Sequence, residues 1–233
     1  ATALANEQFE ILRNVPFSNV GTQSGVPSGI VPASQTLVRD DITFQVDTTV
    51  RNVDDPFDGT IGGAPNDLSP ADYKLAEITI SCTSCKNFVP LVFTGRVAPK
   101  ALETSSLNGA LFVRVFDAAG VPVANATVHV VNASTTPTID ITDETNNDGL
   151  LQIVDTPPGD ENYQITVSKT GYSTERTYAP GDPSNPNPSV PHATVAVQQL
   201  TQISFAIDQT STLDVSSVTE TCAAIPSVDF DLA

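Results

Sequence analysis

Asp54, Asp55, Asp58, Asp67 and Asp72 form the densest acidic cluster of the sequence, in a stretch that Gly59, Gly62 and Gly63 make able to turn tightly. Carboxylates gathered by such turns suit Ca2+, which takes hard oxygen ligands, and Ca2+ is the one candidate cofactor. The spacing is not that of an EF-hand, so the same residues also read as Asx turns and solvated charge. A second run, Asp140, Asp143, Glu144 and Asp148, ends in an Asn-Asp-Gly signature and reads as plain turn chemistry.

Cys82 and Cys85 enclose two residues, as metal and redox motifs do. Zinc would need two further ligands, and only Cys222, His129 and His192 remain to supply them. A redox role would want a βαβ setting that the pattern lacks. A structural disulfide suits an exported protein better. Cys82 with Cys85 is the first pairing to expect; Cys222 joined to either of them is the rival. No Gly-x-Ser-x-Gly elbow occurs, neither histidine sits in a catalytic motif, and His129 between Val128 and Val130 is expected to face solvent. The acidic residues lie in turns without an aromatic sugar platform. On these grounds the chain is expected not to be an enzyme.

Charge narrows the partners. The 233 residues carry 27 acidic and 10 basic side chains, a net charge of −17, with no Lys/Arg cluster. Nucleic acid and anionic membrane surfaces are therefore excluded as partners. No run approaches the ~18 consecutive apolar residues of a membrane span.

The elements that must position these residues are mostly strands. The exception is the first fifteen residues, where Ala1, Leu4, Ala5, Ile11, Leu12 and Val15 recur at helical spacing, interrupted by Gln8 and stopped by Pro16. Leu4, Ala5, Ile11 and Leu12 are expected to form the packing face of this helix. It begins without a cap, and the sequence holds no methionine, so the helix is expected to continue upstream. Residues 20–35 read as a Gly/Ser/Pro-rich loop, then strands are expected at 42–50, 73–81 and 88–97, and a linker over 98–108. Regular short strands follow at 110–116, 126–131, 150–154, 163–168 and 172–178, with two more at 194–199 and 202–207. Their spacing predicts a β-sandwich.

The run Val113-Arg-Val-Phe-Asp117, then Gly120-Val-Pro-Val-Ala-Asn-Ala-Thr-Val-His-Val130, Asn147-Asp-Gly149, Pro158-Gly159 and Tyr163 to Tyr172 resembles the carboxypeptidase regulatory-like, transthyretin-like sandwich family. That resemblance implies a surface-exposed accessory domain. In the related pilus modules a lysine forms an isopeptide crosslink; its place here is Val115, so no such crosslink is expected. The first half, in Ala3 to Gly21 with its Arg13-Asn-Val-Pro16 helix end, and in the acidic loop followed by Asp72 to Ile80, resembles type IV pilins and type II secretion pseudopilins after their membrane-buried segment.

Together these readings predict a mainly β chain with one N-terminal α-helix: a pilin-like α+β head over 1–105, an Ig/transthyretin-like β-sandwich over 108–218, and the start of a truncated further segment over 219–233. The function they imply is the extracytoplasmic part of a type IV pilin-like subunit, a minor pilin, at the cell surface. Its partners would be other pilin subunits, met through the helix, and a host or surface ligand, with membrane contact only through a segment ahead of Ala1. The alternative is a surface-anchored adhesion or carbohydrate-binding protein outside any pilus.

Overall fold

The computed structural model describes residues 1–99, 106–227 and 229. Most of the linker expected over 98–108 and the end of the segment expected over 219–233 lie outside these. The chain is mainly β, with 44% strand and 7% helix.

Helix α1 (Thr2–Asn14) ends where Val15 turns extended ahead of Pro16. It lies across a four-stranded antiparallel sheet in the order β1 (Ser34–Arg39), β2 (Ile42–Val53), β3 (Tyr73–Cys82), β4 (Leu91–Val97). Strict alternation builds this contact: Phe44, Val46 and Val50 of β2 and Ala76, Ile78 and Ile80 of β3 all point to the face that Leu4, Ala5 and Leu12 cover. Gly95 lets the Phe9 ring lie flat on β4, since a Cβ there would fall 2.6 Å from the ring.

Ile11 corrects the expected packing face, because it is 50% exposed while Gln8 is buried. The helical stripe centres on Gln8, and its amide oxygen accepts a hydrogen bond from Gln35 on β1 at 2.9 Å. Ile11 falls at the margin of that stripe. Strand β1 begins inside the loop expected over 20–35 and runs on through residues given no element; its alternation is weak because it is an edge strand, exposed or half-exposed throughout.

From Gly109 two sheets face each other. One runs β10 (Glu175–Arg176), β9 (Gly159–Ser168), β6 (Thr127–Asn132), β7 (Ile139–Glu144), with β11 (Ala193–Val195) also on β9. The other runs β12 (Leu200–Ala206), β5 (Gly109–Phe116), β8 (Leu150–Thr156), with β12 parallel to β5. Val113 and Val115, Val128 and Val130, Ile165 and Val167, and Phe205 fill the space between.

Strand β7 overturns the turn reading of the second acidic run. Asp140, Asp143 and Glu144 lie on it, paired along β6 from Asn132 back to Thr127. Asp148 alone is in a turn, where the Asn146 carboxamide accepts from the Asp148 and Leu150 amides. His129 reaches Asp140 across the pair at 2.8 Å. Beyond Ile207 the tail is largely exposed, and residues 213–218 add no strand to the sandwich.

Candidate functional site

Four of the five carboxylates of the first acidic loop, all but Asp58, accept from backbone amides. Asp54 accepts from the Ile61 N–H at 2.9 Å, Asp67 from Ser69 at 2.8 Å, Asp55 from Phe57 at 3.2 Å, and Asp72 from Asp55. Asp58 is exposed. Burial pushes the Asp54 carboxyl up to about 6, opposed by the Ile61 amide and helped by Asp67, Asp72 and Asp58. Asp72 is raised for the same first reason, burial. Among the described residues no three His, Cys, Asp or Glu side chains converge as metal ligands do. Asp55 and Asp67 cap amides two residues on, Asp54 and Asp72 hold more distant ones, and one oxygen each of Asp54 and Asp67 is buried without a partner.

Cys82 and Cys85 are joined in a disulfide where β3 leaves the sheet, and Cys222 is a free, exposed thiol in the tail. Nothing brings His129 or His192 near either. His192 instead meets Thr177 at 2.9 Å, and its partial burial lowers its pKa.

The polar groups that do converge were not singled out in the sequence. They line a cleft of about 620 Å3 between the two halves of the chain. From the first half come Phe17 and Ser18, residues 25–28, Asn52 at the end of β2, and Lys74 at the start of β3. The second half contributes Ser106, Asn108, residues 135–137, Ile139, Asp155 and Pro157.

Lys74 is 5% exposed, and its ammonium donates to the carbonyls of Phe17 and Val20, each at 2.7 Å, while resting 4.6 Å from the Phe17 ring centroid. An ammonium has three donors, so one N–H remains uncommitted. Burial lowers its pKa to about 8, and the Asp155 carboxylate acts against that fall.

Asn52 stands directly across from Lys74 in the β2–β3 register and is 6% exposed. Its amide nitrogen donates to the Val154 carbonyl at 3.2 Å, tying the halves together, and its buried oxygen has no partner.

Asp155 owes its place to a β-bulge. Thr156 pairs with Gly109 and Val154 with Ala110, which leaves Asp155 as the extra residue, at a φ of 60°. Such a bulge re-aims a side chain out of the ladder, and a short polar residue tolerates the left-handed backbone better than most. Ser106 Oγ donates to its carboxylate at 2.6 Å, Asn108 donates to its carbonyl at 3.3 Å, and Gln198 fixes Ser106 through its carbonyl at 2.9 Å.

Three further links close the seam. The Asp140 amide donates to the Ser24 carbonyl at 2.8 Å, and Val26 packs into the sandwich core. Arg51 pairs with Asp143: Nη2 donates to one carboxylate oxygen at 2.9 Å, while Nε lies 2.7 Å from the other at an angle that forms no hydrogen bond. The Asp143 carboxyl stays above its ordinary value because burial outweighs the guanidinium. In sequence, a signal for this site did exist: Lys74 is in phase with Ala76, Ile78 and Ile80, and Asn52 with Val46 and Val50, on the buried side of each strand.

No protein-family model matches the chain, and no curated protein shows significant similarity to it. Among solved structures it is similar to hydroxyquinol 1,2-dioxygenase from Pseudomonas putida DLL-E4, at 14% identity over 46% of this chain and 58% of that one, with a TM-score of 0.30. It is also similar to the group B streptococcus pilus 2b backbone protein, at 14% identity over 61% and 51% of the two chains and a TM-score of 0.29. The major pilin subunit of Bacillus cereus matches at 14% identity over 59% and 38%, again at 0.29. The chain thus spans between 38% and 58% of the length of these proteins. Enzymes stand beside pilus proteins in this set, which corrects the expectation that the chain is not an enzyme; that exclusion is withdrawn. At such identities and TM-scores no function carries over from any of them. Among the described residues no helix is long and apolar enough to cross a membrane.

Proposed function

We propose that the chain is a pilin-like structural subunit of a bacterial surface filament, of the type IV kind, with the sandwich as an outward spacer or adhesion module. The observation that carries the reading is the amphipathic helix at the start of the chain, laid by Leu4, Ala5 and Leu12 on one face of a four-stranded antiparallel sheet. Its opposite side presents Glu7, Glu10 and Arg13, with Ile11 at the margin, to whatever lies beyond. Neighbouring subunits would meet that side, and an apolar segment ahead of Ala1 would anchor the protein before assembly. The arrangement of a stem, a sheet and a stiff two-sheet module suits a mechanical role outside the cell, where a disulfide such as Cys82–Cys85 persists.

The upstream coding sequence tests the reading at once. A short basic leader, a cleavage glycine and an apolar stretch of roughly twenty residues are expected. A conventional secretory signal peptide would remove it. Immunogold labelling of intact cells with an antibody to the sandwich is expected to decorate filaments; uniform label over the cell envelope would favour the free adhesion protein instead.

A further inference from the structure

We propose that the cleft between the two halves is a binding site for a neutral, hydroxyl-rich small molecule of the size of a mono- or disaccharide. The inference concerns a ligand and stands independently of filament assembly.

Its volume, about 620 Å3, lies within the ~300–1,000 Å3 typical of small-molecule sites. Two of its polar groups are held in place and incompletely satisfied. Lys74 retains a free N–H. Asp155 accepts one hydrogen bond, from Ser106, and keeps further acceptor capacity. A ligand that completes Lys74 and Asp155 must both accept and donate, which a hydroxyl does and a simple ion does not.

Charge decides the class. Among the described residues, Lys74 and Asp155 are the charged side chains that line the cleft, and they offset each other. An anion would meet the Asp155 carboxylate inside and a chain of net charge −17 outside. A cation would meet a buried ammonium. A neutral polyol meets neither penalty, and its hydroxyls can bridge carboxylate and ammonium. Pro27, Pro137, Ile139, Pro157 and the Phe17 ring supply apolar wall for its C–H faces. The bulge at Asp155 and the Ser106–Gln198 support fix the carboxylate without help from a ligand, as a preorganised site requires.

The purified chain is titrated with D-glucose, D-galactose, D-mannose and N-acetyl-D-glucosamine, and with lactose and cellobiose, each followed by amide shifts in two-dimensional NMR. At least one sugar is expected to move the amides of residues 52, 74, 106, 108 and 155 in a saturable way. Asp155→Asn, which suits the same backbone and keeps an acceptor for Ser106, is expected to weaken that binding about tenfold with its spectrum otherwise intact. Ser106→Ala is expected to weaken it less, and Glu10→Gln on the exposed side of α1 not at all. The proposal is overturned if no sugar moves these residues, if Asp155→Asn binds as the parent does, or if inorganic phosphate or glycine saturates the cleft where the sugars do not.

Discussion

The sandwich and the helix-bearing sheet bury their interiors in different ways. In the sandwich, two sheets turn apolar faces toward each other, and among the described residues eighteen buried apolar side chains form its cluster against eleven around α1. Its buried polar groups are mostly hydroxyls that repair the ladder, as when Thr145 accepts from the Ala126 amide and donates to the Val123 carbonyl. In the first half a single sheet is covered by one helix of thirteen residues and by loops, which leave more of its inner face unmatched. Gln8, Asn52 and Lys74 occupy that remainder beside Thr22 and Thr48, and the first three are long or amide-bearing groups with stringent needs. Two facing sheets need little besides alternation. One sheet under a short helix must spend polar side chains at its margins, and there the cleft forms.

The largest test of this difference truncates each core. Phe205→Ala is expected to cost about 4 kcal/mol in urea unfolding and Leu12→Ala about 3 kcal/mol, since the former empties a site enclosed on both sides. An equal or reversed order would break the comparison. Gly95→Ala comes next. Its new methyl meets the Phe9 ring, which can tilt only toward the solvent edge of α1, and the expected loss is about 1–2 kcal/mol. No measurable loss would show that α1 sits loosely on β4, and would weaken the stem reading with it.

Legibility in the sequence follows the same division. Strands such as β5 and β9 announced themselves because both their sheets are covered on one face: Val113 and Val115, and Tyr163, Ile165 and Val167, recur at every second place. Strand β1 did not, because an edge strand with little burial needs no pattern. Strand β7 was hidden by its own chemistry: alternating Ile139, Ile141 and Asp143 point inward, and a charge at the third place disguised the period. Its presence there is explained only by Arg51, distant in sequence and brought opposite by the fold. The cleft was illegible for a related reason. Asn52 and Lys74 are in phase with buried residues, but Asp155 reaches them through a bulge, and no local pattern marks an extra residue in a ladder. The acidic loop is ambiguous in sequence, since density of carboxylates says nothing about whether amides or a cation will use them.

Cutting the seam sharpens the comparison further. Arg51→Leu removes the partner of a carboxylate whose side chain is only 17% exposed. The expected loss is about 1–2 kcal/mol, between the values for exposed and for buried pairs. Asp143 is already raised by burial, and losing the guanidinium raises it further, so the deficit is expected to narrow as the pH is lowered. A deficit that stays constant with pH would mean that Arg51 contributes packing rather than charge.

The smallest effect belongs to Asp54, and its sign is the informative part. Its carboxyl titrates near 3.8 when unfolded and at about 6 in the folded loop. Between those values the folded state holds a proton that the unfolded state has lost, so this group's contribution to stability falls as the pH rises through that window. Most carboxylates that cap an amide behave oppositely, because the hydrogen bond favours the charged form. Here burial and the neighbouring Asp67, Asp72 and Asp58 outweigh the single Ile61 amide. Asp54→Asn keeps an acceptor for that amide and removes the charge. The variant is expected to melt above the parent at pH 7 and to coincide with it near pH 4. A parent that is the more stable at pH 7 would mean that the carboxylate is stabilised by something the loop's own amides do not supply, and would turn the acidic loop from a capped turn back into a candidate for a bound cation.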